Sequence, residues 1–238
     1  SICNVVESSI ARAAHAGIYT HAGPEVGAAS TKAFTAQLTV LIMLALELAQ
    51  QRGTLAAHTF QALLQALDSI PDQVQAVLAQ NEHILHIAQA YHKATNCLYL
   101  GRGYNFPVAL EGALKLKEIA YIHAEGYPAG EMKHGPIALL DAKVPVVAIA
   151  VPGSVYDKVL SNAQDAKARD AQLIGVAPAN DPEAEHTFDT LLPVPTVDEL
   201  LSPMLTVLPL QLLSYHIAAR RGLDVAQPRN LAKSVTVE

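Results

Sequence analysis

Cysteine is scarce in this chain: its 238 residues include two, Cys3 and Cys97. They lie far apart inside apolar runs and form no zinc-type pair, and the ten histidines are scattered. Buried free thiols in a reducing cytoplasm are the simplest reading. Charge is also sparse, at 16% of residues against 51% hydrophobic, a balance that excludes a disordered chain. The net charge is −6 without a basic cluster, which argues against a nucleic-acid partner. Long apolar runs are missing too. The longest uncharged one, Ala33–Leu46, has 14 residues and is interrupted by Thr35, Gln37 and Thr39. That suits a buried helix better than a membrane span of about 20 residues. The N-terminus has no Met, basic n-region or apolar h-region, so it is read as neither a translation start nor a signal peptide. The strand-like opening Ser1-Ile2-Cys3-Asn4-Val5-Val6 suggests a fragment cut from something longer.

What is present is an alternation of short β-branched runs with longer helical stretches. This is the pattern of an α/β fold with a doubly wound, mainly parallel sheet. Strands are expected at 2–6, 97–100, 144–151, 172–176 and 190–194, with a weaker candidate at 16–20. Helices are expected at 30–51, 56–69, 72–79, 81–93, 107–123, 156–169 and 203–221. The length allows roughly 70–75% of the unfolded surface to be buried. Residues 81–222 suffice for one complete doubly wound unit. Residues 1–80 look like the C-terminal part of a similar unit with its linking helices, and residues 223–238 like an irregular tail.

Three places could carry chemistry. On the helix around Leu110–Ile119, a turn of about 100° per residue puts Glu111, Lys115 and Glu118 within roughly 60° of one another. Leu114 and Ile119 flank that stripe and Ile122 lies within it. An amine between two carboxylates, bordered by apolar residues, can hold pKa values apart and supply a general base. The plainer alternative is an i,i+4 pair on a solvated face. Lys117 points elsewhere. In Gly130-Glu131-Met132-Lys133-His134-Gly135-Pro136, Pro136 suits a first helical position. That would put His134 before a helix N-terminus whose macrodipole favours neutral imidazole, unless it is an ordinary loop histidine. Gly23–Lys32 resembles a phosphate loop superficially but has no G-K-[ST]. Ser30 there is more simply an N-cap, which leaves N–H groups free for a sugar hydroxyl or an anion. Gly101-Arg102-Gly103, without a full G-x-G-x-x-G, is most simply a turn. Lys233 lies in the tail. It would need a desolvated or cationic pocket to act as a nucleophile, because an amine in water near pKa 10.4 is about one part in a thousand neutral.

Taken together, Ala29-Ser30-Thr31-Lys32-Ala33-Phe34-Thr35, Ala109–Ile119, Gly130–Pro136 and the ending Pro228-Arg229-Asn230-Leu231-Ala232-Lys233-Ser234-Val235-Thr236-Val237-Glu238 resemble the glucosamine-6-phosphate synthase family, in the same order. The ending is the most specific part, since other proteins of the sugar isomerase (SIS) fold lack it. Met132, where the family usually has Leu, is a mild departure.

The resemblance implies a cytoplasmic homodimer that converts fructose 6-phosphate and glutamine-derived ammonia into glucosamine 6-phosphate without a cofactor or metal. By position, Lys233 would form a Schiff base with the open sugar. Glu118 would move a proton between C1 and C2 with Lys115 beside it. His134, reaching from the partner subunit, would open the ring. Ser30, Glu111 and the backbone of Ala28 and Ala232 would bind the sugar. Two family parts are not in this sequence: a glutaminase domain with an N-terminal cysteine nucleophile, and the Ser-Gln-Ser-Gly-Glu-Thr loop that holds the sugar phosphate. Competing readings are a deglycase or ketose–aldose isomerase of the same fold, and a non-catalytic sugar-phosphate sensor.

Overall fold

The computed structural model of the chain describes residues 1–232. Its main body is a five-stranded sheet, every neighbouring pair parallel, in the order β4-β3-β5-β6-β7. The strands are β3 (Asn96–Gly101), β4 (His123–Pro128), β5 (Pro145–Ile149), β6 (Gln172–Pro178) and β7 (Thr190–Val194). Alternate residues of each strand enter two separate cores. Tyr99, Val147, Ile149, Ile174, Val176 and Leu192 pack with α5 (Asn81–Tyr91), α6 (Phe106–Ala120) and α9 (Ser202–Arg220) on one face. Leu98, Leu100, Val146, Ala148 and Leu173 pack with α7 (Tyr156–Lys167) and α8 (Pro182–Thr187) on the other. Both faces being covered explains why the central strands β5 and β6 are apolar runs with little polar alternation.

The first unit is smaller. Strands β1 (Ile2–Cys3) and β2 (Ile18–Tyr19) form a two-stranded parallel sheet around α1 (Ser9–Ala13). Helix α2 (Lys32–Gln51) follows, then α3 (Ala57–Asp68) and α4 (Ile70–Leu78). Its apolar side chains are largely uncovered: of α2 only Ile42 and Leu46 are buried, whereas Leu41, Met43, Leu44 and Leu48 are exposed.

Several sequence expectations change. The first strand covers two residues, not the five of 2–6, because Asn4 turns its side chain into the loop: it donates to the Gly23 carbonyl and accepts from the Ala22 N–H. Strand β4 and helices α1 and α8 were not anticipated. In β4 the sequence His-Ala-Glu-Gly-Tyr-Pro has weak strand propensity, and its place is imposed by pairing with β3 along its whole length. The expectation that no segment reaches spanning length is also corrected. Helix α2 runs for 20 residues at a mean hydropathy of 1.5, enough by length and composition to cross a membrane, since it continues past Glu47 to Gln51. A core helix of a globular protein passes the same test, so this is weak evidence for a span.

The position of α6 is set with little tolerance. A Cβ on Gly126 of β4 would lie 2.8 Å from the Leu110 backbone, and one on Gly112 would meet Leu210 of α9 at 2.7 Å. Gly126 therefore lets α6 approach the sheet edge more closely than any side chain would allow, and Gly112 leaves room for the Leu210 and Tyr99 side chains. At its N-terminal end, buried Asn105 donates to the Ser202 hydroxyl at 2.9 Å and accepts from Thr206 at 2.7 Å, tying the start of α6 to the start of α9.

Candidate active site

Helix α6 brings the predicted stripe together. Lys115 is 3% exposed, and its Nζ donates to Glu118 Oε2 at 2.5 Å and lies 3.5 Å from Glu111 Oε1. The solvated-pair alternative is thereby set aside, since an ammonium this buried persists only with partners. Burial raises the Glu111 carboxyl above its ordinary value, an effect that the neighbouring Lys115 partly offsets. Ile119 and Ile122 are buried beside the stripe, while Leu114 is partly exposed and Lys117 is exposed.

The helix ends one turn beyond Glu118 at Tyr121, whose backbone is left-handed (φ 55°, ψ 34°). There an open cleft of about 460 Å³ lies between Glu118, Tyr121 and Ile122 on one side and Arg229, Asn230 and Leu231 of the tail on the other. The Arg229 N–H donates to the Tyr121 hydroxyl at 2.7 Å, and the Arg229 guanidinium sits 4.2 Å from the Tyr121 ring centre. The tail root therefore lies beside the acid–base stripe. Neither Tyr121 nor its left-handed turn was singled out from the sequence, which has no glycine or asparagine there to signal it.

The remaining candidates are placed as follows. Ser30 does not cap α2. Thr31 holds the cap position without a side-chain bond, and the Glu25 carboxylate takes over by accepting from the Ser30 hydroxyl at 2.9 Å and the Ala33 N–H at 3.2 Å. The backbone of Ala28, expected to hold a sugar hydroxyl, donates its N–H to the Ala226 carbonyl at 2.9 Å, so that N–H is engaged within the protein. His134 is exposed at the end of a 3₁₀ segment, Ala129–His134, before Gly135 (φ 150°). The following element, Pro136–Leu139, is a single 3₁₀ turn, too short to align the peptide dipoles of the helix that was anticipated. His134 follows the C-terminal end of β4, whereas Glu118 precedes its N-terminal end. Lys133 pairs with Asp165 of α7 at 2.8 Å, and Arg102 donates to Asn162 at 3.1 Å; both are structural. Ala232 is exposed. Lys233 lies outside the described residues.

The sequence matches the family model described as the SIS domain over residues 1–47 and 90–221. The chain belongs to the SIS domain family. Among curated SIS relatives, glutamine–fructose-6-phosphate aminotransferase (isomerizing) of Gloeobacter violaceus is 62% identical over 238 residues, which are all of this chain and 39% of that protein. The enzyme of the same name from Bacteroides thetaiotaomicron is 55% identical over 237 residues and is matched over 39% of its length. Among solved SIS structures, the C-terminal domain of glucosamine-fructose-6-phosphate aminotransferase from Francisella tularensis superposes with a TM-score of 0.90 at 40% identity, covering 95% of this chain and 64% of that one. The chain thus spans about two fifths of the curated relatives it matches, and its SIS topology agrees with the doubly wound parallel sheet expected from the sequence.

Proposed function

We propose that this chain is the C-terminal part of a glutamine–fructose-6-phosphate aminotransferase and carries most of its sugar isomerase module. The observation that carries the reading is the buried Lys115 between Glu111 and Glu118, with Glu118 lining a cleft bordered by the tail segment that leads to Lys233. The names of the relatives support it. Residues 1–80 are the C-terminal part of a first SIS subdomain with linking helices, 81–222 a second subdomain, and 223–238 an active-site tail. The uncovered apolar faces of α2 and of the β1–β2 sheet are what a unit lacking its first strands would present. The glutaminase domain and the phosphate-binding loop belong to the longer protein, a cytoplasmic homodimer.

The chemistry is what the family resemblance implies for these residues. The Lys233 amine condenses with the C2 carbonyl of open-chain fructose 6-phosphate and releases water. Ammonia then displaces the lysine nitrogen at C2. Glu118 takes a proton from C1 and returns it to C2 while the C1 hydroxyl proton passes to the C2 nitrogen, which moves the double bond to C1–O and leaves glucosamine 6-phosphate. Lys115 balances and orients the Glu118 carboxylate, and Glu111, Ser30 and the backbone of Ala28 and Ala232 hold sugar hydroxyls. His134 opens the sugar ring in the partner's site.

The test is product analysis of the full-length enzyme supplied with fructose 6-phosphate and glutamine or ammonia. Glucosamine 6-phosphate should form and be lost in Glu118→Gln and Lys233→Arg. Formation of glucose 6-phosphate alone would identify a ketose–aldose isomerase instead, and sugar-phosphate binding without turnover would identify a sensor.

A further inference from the structure

Tyr121 is an aromatic residue held in the left-handed region (φ 55°), a conformation that L-residues other than glycine and asparagine adopt at a cost. Such strain persists only where surrounding contacts over-determine it, and it is common at functional sites. Here two contacts hold it to the tail. The phenol oxygen accepts the Arg229 N–H at 2.7 Å, and the ring carries the Arg229 guanidinium 4.2 Å from its centre. Three residues earlier in the tail, the Ala226 carbonyl accepts the Ala28 N–H at 2.9 Å. The tail root is thus pinned at two points, on the loop that leads into α2 and on the end of α6. A right-handed Tyr121 would continue α6 and carry the ring away from the second pin.

We propose that Tyr121 is a positioning residue, a latch that fixes the tail root so that Lys233 operates within reach of Glu118. The inference rests on the role assigned to Lys233 above. Three residues lie between Arg229 and Lys233, so their Cα atoms are at most about 14 Å apart along an extended chain. Anchoring Arg229 on the last turn of the helix that carries Glu118 therefore confines the amine to the neighbourhood of the cleft. An unlatched tail would spread the same amine over a much larger volume, and the reaction would lose effective concentration.

The latch is tested in the full-length enzyme by two readouts. Trypsin cleavage after residue 229, followed by intact mass, reports release of the tail root independently of activity. Steady-state kinetics report the kcat against KM split. Tyr121→Phe keeps the ring and removes the acceptor; Arg229→Lys keeps the charge and the cleavage site but loses the planar stack. Each variant should be nicked about threefold to tenfold faster than the parent, the scale of one lost hydrogen bond or ring contact. Their kcat should fall by a similar factor while KM for fructose 6-phosphate stays within about twofold. A merely structural role would lower the melting temperature without producing this split. Nicking at the parental rate in both variants overturns the latch, and faster nicking with unchanged kcat overturns its positioning role. Full activity in Lys233→Arg would instead refute the assignment of Lys233 on which the inference rests, whatever the nicking rates.

Discussion

Replacing Lys115 by methionine keeps the aliphatic stem and removes the ammonium that separates two carboxylates. Glu111 and Glu118 are then left 13% and 21% exposed at the side chain with no cation between them. Breaking a buried ion pair by removing one partner costs about 3–5 kcal/mol, and the residual solvent at Glu118 lowers this to about 2–4 kcal/mol at neutral pH. That is a large share of a domain's stability of about 5–15 kcal/mol. The loss should depend on pH with a definite sign. Burial already raises Glu111 above 4.5 while Lys115 pulls it down, so removing Lys115 raises it further. Where the folded carboxyl is the weaker acid, the folded state binds more protons than the unfolded chain, and stability falls as pH rises through that window. The deficit of Lys115→Met relative to the parent should therefore be largest near pH 7. It should shrink as the pH drops through the raised Glu111 value towards the ordinary carboxylate range. Urea unfolding of the two proteins at pH 7.5 and pH 5, followed by circular dichroism, measures this. A deficit below about 1 kcal/mol at neutral pH, or one that grows on acidification, would refute the argument that Lys115 compensates buried carboxylate charge.

Mixed dimers of full-length His134→Ala and Glu118→Gln subunits should recover activity that neither parent homodimer has, by pairing an intact half-site from each chain; verified heterodimers without recovery would count against the exchanged histidine. This chain alone, supplied with ammonia and fructose 6-phosphate, should turn over negligibly beside the intact isomerase module. It has no phosphate-binding loop, and charge-assisted bonds worth roughly 1.5–3 kcal/mol each are lost with that handle; comparable rates would show that the loop is dispensable. Burial pushes the Cys97 thiol up to about 12, so Ellman's reagent at pH 8 should react with the partly exposed Cys3 and reach Cys97 only after unfolding. Two equally fast thiols in the native chain would contradict the packing around β3.

The α/β class and most elements of residues 81–222 could be read from the chain because both faces of a parallel sheet are buried, so most of its strands are short apolar runs. The stripe of Glu111, Lys115 and Glu118 was equally legible, since the helical repeat alone decides which residues share a face. The sequence could not say whether that stripe faced water. Burial of Lys115 depends on how closely α6 approaches β4 and α9, and this rests on Gly112 and Gly126 meeting atoms far away in the sequence. Strand β4 was invisible for a related reason: its residues have weak strand propensity, and its partner β3 supplies the hydrogen bonds. Ser30 seemed a natural cap until the fold brought Glu25 into that place. The left-handed Tyr121 and its hold on Arg229, 108 residues away, belong wholly to the tertiary structure. Periodicity and local chemistry propagate over one or two helical turns, whereas contacts between distant segments exist only once the chain has closed on itself.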